Sequence, residues 1–175
     1  MNRRSFLSFA VAAPVLSSCA KALGVDVWPG PSQPISYVTT PPPVVGTTLR
    51  LSDAQWRARL TREQYRVLRD HGTESAFSCP LTQEHRRGTF YCAGCGAPLF
   101  RSGDKFESGT GWPSFTRPLE GRVGSSTDSS LGMTRTEVHC ARCNGHLGHS
   151  FDDGPPPTGT RFCINGVAVE FRVDA

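Results

Sequence analysis

Four of the seven cysteines in this 175-residue chain form two C-x-x-C pairs. Cys92 and Cys95 make up the first pair, and Cys140 and Cys143 make up the second. A C-x-x-C turn directs both sulfurs toward one point, so two such turns supply the four soft ligands that a structural Zn²⁺ binds. The pairs therefore predict one zinc ion that joins distant parts of the chain. Four thiolates leave no open coordination position for catalysis.

The same four cysteines also allow other interpretations. They can be redox-active dithiols, or members of a disulfide scaffold of the kind common in exported proteins. A general disulfide oxidoreductase carries its C-x-x-C at the start of a helix, and neither pair lies in a helical pattern. We favour the metal, because a glycine follows closely after each pair, at Gly96 and Gly145.

Cys163 lies outside both pairs, in the segment Arg161-Phe162-Cys163-Ile164-Asn165. A single cysteine in an apolar strand is commonly buried filler. Here Arg161 and Asn165 alternate with it at strand spacing, which predicts that all three side chains share one face. Polar neighbours can lower the pKa of a thiol and orient a polar substrate. We therefore interpret Cys163 as a candidate nucleophile.

Two histidines follow directly after the second cysteine pair, at His146 and His149. An isolated histidine is usually a surface group, and two at this spacing can also bind a metal. Since the four cysteines already complete a zinc site, we interpret the histidines as proton donors near neutral pH.

Five segments match, in order, one family of enzymes. They are G-T-E at 72–74, C-A-G-C-G-A-P-L-F at 92–100, S-G-T-G-W-P-S-F at 108–115, H-L-G-H-S-F-D-D-G at 146–154 and R-F-C-I-N at 161–165. Together they resemble the methionine sulfoxide reductase B family, over roughly Leu49 to Val173. The resemblance implies two antiparallel β-sheets with a zinc clip at one end.

The resemblance also implies an activity, the reduction of methionine-R-sulfoxide, mainly within oxidised proteins and peptides. Cys163 matches the family nucleophile, which attacks the sulfoxide sulfur and becomes a sulfenic acid. His146, His149 and Asn165 match positions that hold the substrate oxygen and supply protons. Arg161 is expected to assist near the thiolate.

Trp112 matches the aromatic wall that packs on the S-methyl group of the substrate. Without the resemblance, a core tryptophan after a turn is an equal alternative. Thr110 stands where many relatives carry a second, resolving cysteine. Some members resolve from an earlier loop instead, so we expect Cys79 to form a disulfide with Cys163 that an exported thioredoxin-like protein reduces. The alternative is that Cys79 is an incidental loop cysteine.

Residues 1–18 have the composition of an export signal. Arg3 and Arg4 precede a short apolar run and resemble the twin-arginine motif of proteins that fold before crossing the membrane. An ordinary secretory signal is the alternative. Leu16-Ser17-Ser18-Cys19 resembles a lipobox, which predicts a lipid on Cys19, unless cleavage follows Ala20. We expect the protein in the bacterial periplasm or cell envelope, attached to a membrane if Cys19 is lipidated.

Residues 19–48 are rich in proline and predict an extended tether, with a disordered arm as the alternative. Residues 49–175 form the predicted catalytic domain. Its start carries two capping boxes, at Ser52 and Thr61, which predict two short helices, the second ending at Gly72.

After about residue 77, short apolar runs at 90–91, 99–100, 133–138 and 162–170 are separated by glycine-rich turns. This pattern predicts a mainly β fold.

The net charge of +4 is small and no basic stripe is present, so we expect no nucleic-acid partner. A monomer is the default expectation. The alternative function is an exported, zinc-ribbon-like binding module without catalysis, which would not need Cys163, His149 or Trp112.

Overall fold

The computed structural model describes residues 28–29 and 48–174. Within these residues, two short α-helices precede nine β-strands, which form two antiparallel sheets. The prediction of a mainly β fold behind small N-terminal helices is therefore confirmed. None of the helices described is long and apolar enough to cross a membrane. The predicted export signal, and the predicted tether apart from residues 28, 29 and 48, lie outside the described residues.

The two helices begin where the capping boxes predict. Helix α1 (Asp53–Arg59) follows Ser52, whose hydroxyl accepts a hydrogen bond from the Gln55 amide while the Gln55 side chain accepts one from the Ser52 amide. Helix α2 (Arg62–Leu68) begins with the same reciprocal pair between Thr61 and Gln64. Each box satisfies backbone donors that have no partner inside a helix.

The end of α2 differs from the prediction. The helix ends at Leu68, and the left-handed residue beyond it is His71, with φ of 54°, so the predicted cap at Gly72 is wrong. A glycine is needed at position 72 for another reason, because a side chain would not fit there. A Cβ at this position would lie 2.8 Å from the carbonyl oxygen of Arg66, to which the Gly72 amide donates a hydrogen bond.

The smaller sheet has three strands in the order β2-β1-β9. They are β1 (Gly88–Cys92), β2 (Pro98–Arg101) and β9 (Val169–Val173). The larger sheet has six strands in the order β3-β4-β8-β7-β6-β5. They are β3 (Lys105–Phe106), β4 (Ser114–Phe115), β5 (Val123–Asp128), β6 (Arg135–Cys140), β7 (His146–Phe151) and β8 (Arg161–Ile164).

Aromatic side chains join the two sheets. The ring of Phe115, from the larger sheet, stacks on Phe100 with 4.3 Å between centroids and meets Phe90 edge-on at 5.0 Å. All three residues are fully buried. Because aromatic pairs in these arrangements add to the free energy of burial, this cluster fixes how the sheets face each other.

The predicted β run 162–170 is divided between the two sheets. Strand β8 belongs to the larger sheet and β9 to the smaller one, and a 3₁₀ helix (Gly166–Ala168) joins them. The carboxylate of Glu74 accepts hydrogen bonds from the amides of Gly166 (2.6 Å) and Val167 (2.9 Å). These amides are therefore not available to a strand, and the chain changes sheets directly after the candidate nucleophile.

Strands β7 and β8 approach each other very closely at Gly148. A Cβ at Gly148 would overlap the carbonyl oxygen of Cys163. Only glycine allows this approach. The glycine in the H-L-G-H segment thus brings the two strands that carry His149 and Cys163 together.

Candidate active site and metal cluster

The pairing of strands collects a row of polar side chains on one face of the larger sheet. Cys163 lies opposite His149 of β7 on one side and opposite Ser114 of β4 on the other. His149 in turn lies opposite Glu137 of β6. Residues that lie opposite each other in neighbouring antiparallel strands point to the same face. A thiol, an imidazole, a hydroxyl and a carboxylate are therefore neighbours, although they are distant in the sequence.

The Cys163 thiol is partly buried, and its surroundings affect its ionisation in two directions. Burial raises the pKa of the thiol, whereas the charge of Arg161 and hydrogen bonds from Thr110 and Arg161 oppose that rise. Arg161 is itself buried and held by Asp153 through two hydrogen bonds of 2.8 Å. A fixed cation next to a thiol stabilises the thiolate, the form that acts as a nucleophile.

A chain of hydroxyl groups continues from Thr110. The Ser108 hydroxyl oxygen lies 2.8 Å from the Thr110 hydroxyl oxygen and 2.8 Å from that of Ser114. This network links the turn before Trp112 to strand β4, and it holds the Thr110 hydroxyl at the Cys163 thiol. Sequence reasoning treated Thr110 only as a missing cysteine and overlooked this contact.

The ring of His149 is oriented by Asp128. Its Nε2 lies 2.7 Å from Oδ2 of Asp128, an oxygen that also accepts a hydrogen bond from Arg135. Hydrogen bonds from Ser130, and then from His149, hold the pKa of Asp128 well below its usual range. An ionised carboxylate only accepts, so Nε2 of His149 carries a proton and Nδ1 is the atom not engaged by Asp128.

His146 is almost completely buried, at 2% exposure. Burial lowers the pKa of its ring, so the imidazole is neutral near pH 7. Its Nδ1 lies 2.7 Å from Oε1 of Glu137, and the other carboxylate oxygen accepts a hydrogen bond of 2.6 Å from Ser126. Burial acts to raise the pKa of Glu137, but these hydrogen bonds outweigh it and the pKa is lowered. The ionised carboxylate therefore accepts a hydrogen bond from the protonated Nδ1, and Nε2 of the neutral ring carries only a lone pair.

Asn165 follows β8 and is also buried. Its side-chain amide donates to the carbonyl of Leu147 (2.9 Å), and its side-chain oxygen accepts from the amide of Glu74 (2.9 Å). Both ends of the side chain are thus bonded to backbone groups. The side-chain amide has a second N–H that neither of these hydrogen bonds uses, and this N–H can donate to a substrate oxygen.

Glu74, in the G-T-E segment, is a residue whose role sequence reasoning missed. Besides its carboxylate bonds to the 3₁₀ helix, its carbonyl oxygen accepts a hydrogen bond of 3.2 Å from the indole of Trp112. Glu74 therefore fixes the tryptophan and the turn after Cys163 relative to each other. The only indication in the sequence was that G-T-E at 72–74 matches the enzyme family, and that match did not say what Glu74 does.

Cys79 lies close to this turn. Its sulfur packs so tightly on Gly166 that a Cβ at Gly166 would overlap it. Gly166 is the third residue after Cys163 in the chain. Burial raises the pKa of the Cys79 thiol, and both Cys79 and Cys163 are free thiols in this structure.

The two C-x-x-C pairs meet in a single buried cluster. The sulfurs of Cys92 and Cys143 lie 3.7 Å apart, and those of Cys95 and Cys140 lie 3.6 Å apart. A tetrahedral ion with metal–sulfur bonds of about 2.3 Å requires sulfurs about 3.8 Å apart. The cluster therefore fits a metal ion held by four thiolates.

The backbone supports the cluster in the same way on both sides. The residue after each pair, Gly96 or Asn144, has a left-handed conformation and donates its amide to the carbonyl of the first cysteine of its pair. The first turn follows β1 of the smaller sheet, and the second joins β6 to β7 of the larger sheet. A metal ion here would clip the two sheets together.

Comparison with known proteins agrees with the family that the sequence segments indicated. The model of the SelR domain family matches residues 60–173. A peptide methionine sulfoxide reductase MsrB from Thiobacillus denitrificans is 57% identical over 122 residues, which cover 69% of this chain and 92% of that protein. The chain belongs to the MsrB family. The reductases MsrB of Leptospira interrogans and Agrobacterium fabrum are each 54% identical over 122 residues, which cover 69% of this chain and 93% and 90% of those proteins.

In this MsrB-family chain, the contacts of Cys163 generate a prediction about its ionisation. Arg161→Gln removes the cation, and a thiolate that loses a cation is harder to form. We expect the pKa of Cys163 to rise by about 1 unit. The measurement is the pH dependence of the alkylation rate of the Cys163 peptide by iodoacetamide, read by mass spectrometry.

Arg117→Gln is the matched control, because Arg117 is an exposed arginine that also pairs with an aspartate, Asp104. The alkylation profile of this variant should match that of the wild type. An Arg161→Gln profile that coincides with the wild-type profile would show that the guanidinium does not act on the thiol.

Proposed function

We propose that this protein reduces methionine-R-sulfoxide in oxidised proteins and peptides to methionine, with Cys163 as its nucleophile. The observation that supports this most strongly is the position of the thiol. It lies beside the buried cation of Arg161 and the hydroxyl of Thr110, and opposite His149 in the neighbouring strand. Membership of the MsrB family supports the same reaction.

In the proposed chemical step, the Cys163 thiolate attacks the sulfoxide sulfur and negative charge develops on the sulfoxide oxygen. The attack forms a bond between the two sulfurs, and the oxygen takes up one proton. The hydroxyl then passes from the substrate sulfur to the Cys163 sulfur as the substrate S–O bond and the S–S bond break, which leaves methionine and a Cys163 sulfenic acid. A protonated His149 keeps one N–H on Asp128 and can donate the other, from Nδ1, to the oxygen. Such a donor stabilises the transition state, where the oxygen carries most charge.

Substrate binding is assigned to Trp112. Its indole N–H is engaged by the Glu74 carbonyl, so one edge of the ring is fixed. We propose that the ring packs against the S-methyl group, since a sulfur-linked methyl group makes favourable contacts with aromatic rings. Asn165 holds the Glu74 segment in place through its side-chain oxygen, and its second amide N–H can donate to the sulfoxide oxygen.

Recycling is assigned to Cys79. Its thiol condenses with the Cys163 sulfenic acid, forming a disulfide and releasing water, and a thioredoxin-like dithiol then reduces that disulfide by exchange. The packing of Cys79 on Gly166, close in the chain to Cys163, supports this assignment. Thr110 carries a hydroxyl at the thiol and cannot serve as the second cysteine.

Replacing each cysteine tests this sequence of steps. Cys163→Ser should abolish reduction of methionine-R-sulfoxide with any reductant, because the nucleophile is lost. Cys79→Ser should release one methionine per chain in a single turnover but lose nearly all thioredoxin-dependent turnover. Cys19→Ser is the matched control and should keep both activities. Full thioredoxin-dependent turnover by the Cys79→Ser variant would reject the resolving role.

We further propose that the four-cysteine cluster holds one structural Zn²⁺. Four thiolates in a tetrahedral arrangement are the donor set that zinc prefers. Loss of a group that merely hydrogen-bonds to a metal ligand weakens metal affinity by about 10–100-fold. Because Cys143→Ser removes a ligand itself, we expect a larger loss of zinc affinity. Zinc content by elemental analysis and the thermal unfolding midpoint should both fall, whereas Cys79→Ser should keep its zinc. A stable Cys143→Ser variant with full activity and no metal would exclude a structural ion.

We also propose export through the twin-arginine route, with a lipid on Cys19. Replacing Arg3 and Arg4 together by lysine should leave the protein in the cytoplasm, as measured by cell fractionation. The matched control replaces the exposed arginine pair Arg86 and Arg87 by lysine and should be exported normally. Continued export of the Arg3/Arg4 variant would favour an ordinary secretory signal.

Cys19→Ser should abolish incorporation of labelled fatty acid.

A further inference from the structure

Three side chains converge beside the candidate active site, and one of them has no part in the proposed reaction. Nδ1 of His71 lies 3.0 Å from Oε1 of Glu137, and Nδ1 of His146 lies 2.7 Å from the same oxygen. Three potential ligand atoms of these residues all lie within 4.8 Å of one another. They come from the turn after α2, from β6 and from β7, respectively.

We propose that His71, Glu137 and His146 bind one divalent transition-metal ion of the Zn²⁺ class, at a site separate from the four-cysteine cluster. Two imidazole nitrogens and one carboxylate oxygen are the donor set of zinc sites that keep one position open. Because nitrogen and oxygen ligands replace sulfur here, Ni²⁺ and Cu²⁺ also suit the site.

The distances are close to those that an ion needs. Tetrahedral bonds of about 2.0–2.1 Å place neighbouring ligand atoms about 3.3 Å apart. The two separations from the Glu137 oxygen, 3.0 and 2.7 Å, require only small outward shifts. His71 has an exposed side chain that can make such a shift, at 64% exposure, whereas those of Glu137 and His146 are fixed in the interior.

The surroundings of Glu137 also suit a ligand. Ser126 donates its hydrogen bond to Oε2, which leaves Oε1 for the ion. Hydrogen bonds of this kind orient ligating carboxylates in known metal sites. His71 reaches Glu137 from the left-handed backbone conformation, with φ of 54°, that follows the end of α2.

The buried Nε2 of His146 reports whether an ion is bound at Nδ1. In the part of the chain that the structure describes, this atom has no hydrogen-bond partner. While Nδ1–H donates a hydrogen bond to Glu137, Nε2 can only accept one. An ion on Nδ1 takes the place of that proton, and the neutral ring then carries its proton on Nε2. Metal binding thus changes Nε2 from an acceptor to a donor, on a ring whose centroid lies 5.3 Å from that of His149.

The metal site does not depend on the proposed function. The binding test uses the full chain with its cysteine cluster already loaded with zinc, titrated with further Zn²⁺ in a calorimeter. His71→Asn removes one ligand while keeping a residue that tolerates the left-handed backbone. We expect its affinity for the added ion to fall at least about tenfold, because removing a group that only hydrogen-bonds to a metal ligand already lowers affinity by that much.

His85→Asn is the matched control. His85 has the same side-chain exposure, 64%, and also faces a glutamate, Glu107, at 4.0 Å. Its cluster includes no second histidine within ligand distance in the described chain. Its affinity for added Zn²⁺ should equal that of the wild type. Equal affinity in the His71→Asn variant, or no binding beyond the cysteine cluster, would overturn the proposal.

The tautomer of His146 gives a readout that does not depend on reductase activity. Long-range ¹H–¹⁵N spectra should show the His146 proton on Nδ1 without added ion and on Nε2 after Zn²⁺ is added. The His71→Asn variant should keep the proton on Nδ1 at the same Zn²⁺ concentration. An unchanged tautomer in Zn²⁺-saturated wild type would place the ion elsewhere. A protein that binds the added ion, but reduces no sulfoxide even before the ion is added, would reject the proposed function and leave the metal site standing.

Discussion

The buried carboxylate of Glu74 is the contact on which the catalytic face depends. It binds two amides of the turn where the chain leaves one sheet for the other, directly after the strand that carries Cys163. Hydrogen bonds to a charged group typically contribute about 1.5–3 kcal/mol each. The backbone of the same residue holds Trp112 and Asn165. One residue therefore fixes the proposed nucleophile strand, the proposed substrate wall and the loop that leads to Cys79.

The parts of the fold that the sequence predicted well depend on near neighbours. The capping boxes at Ser52 and Thr61 each use a partner three residues away, so their pattern is visible in the chain. The end of α2 was misplaced at Gly72, because the left-handed residue is His71 and the close approach of the Arg66 carbonyl is what requires a glycine at 72. The division of the run 162–170 depends on Glu74, which lies more than ninety residues away. No local pattern carries such information.

The candidate site divides in the same way. The two C-x-x-C pairs were recognisable from spacing, and a resemblance between segments supplied the roles of Cys163 and the two histidines. The carboxylates that orient those histidines, Asp128 and Glu137, were not foreseen. They lie on separate strands and meet their partners only through strand register, which short and irregular strands conceal. Acidic residues in polar strands look like ordinary solvent-facing positions until that register is known.

Burial of the Cys79 thiol has a consequence for the durability of the protein. A thiol whose pKa is raised remains protonated, and peroxides react with thiolates far more readily than with thiols. Cys79 is therefore protected from stepwise conversion to sulfinic and sulfonic acids, from which no dithiol can recover it. An enzyme that repairs oxidised proteins works among the oxidants that damaged them, and burial shields this thiol from those oxidants.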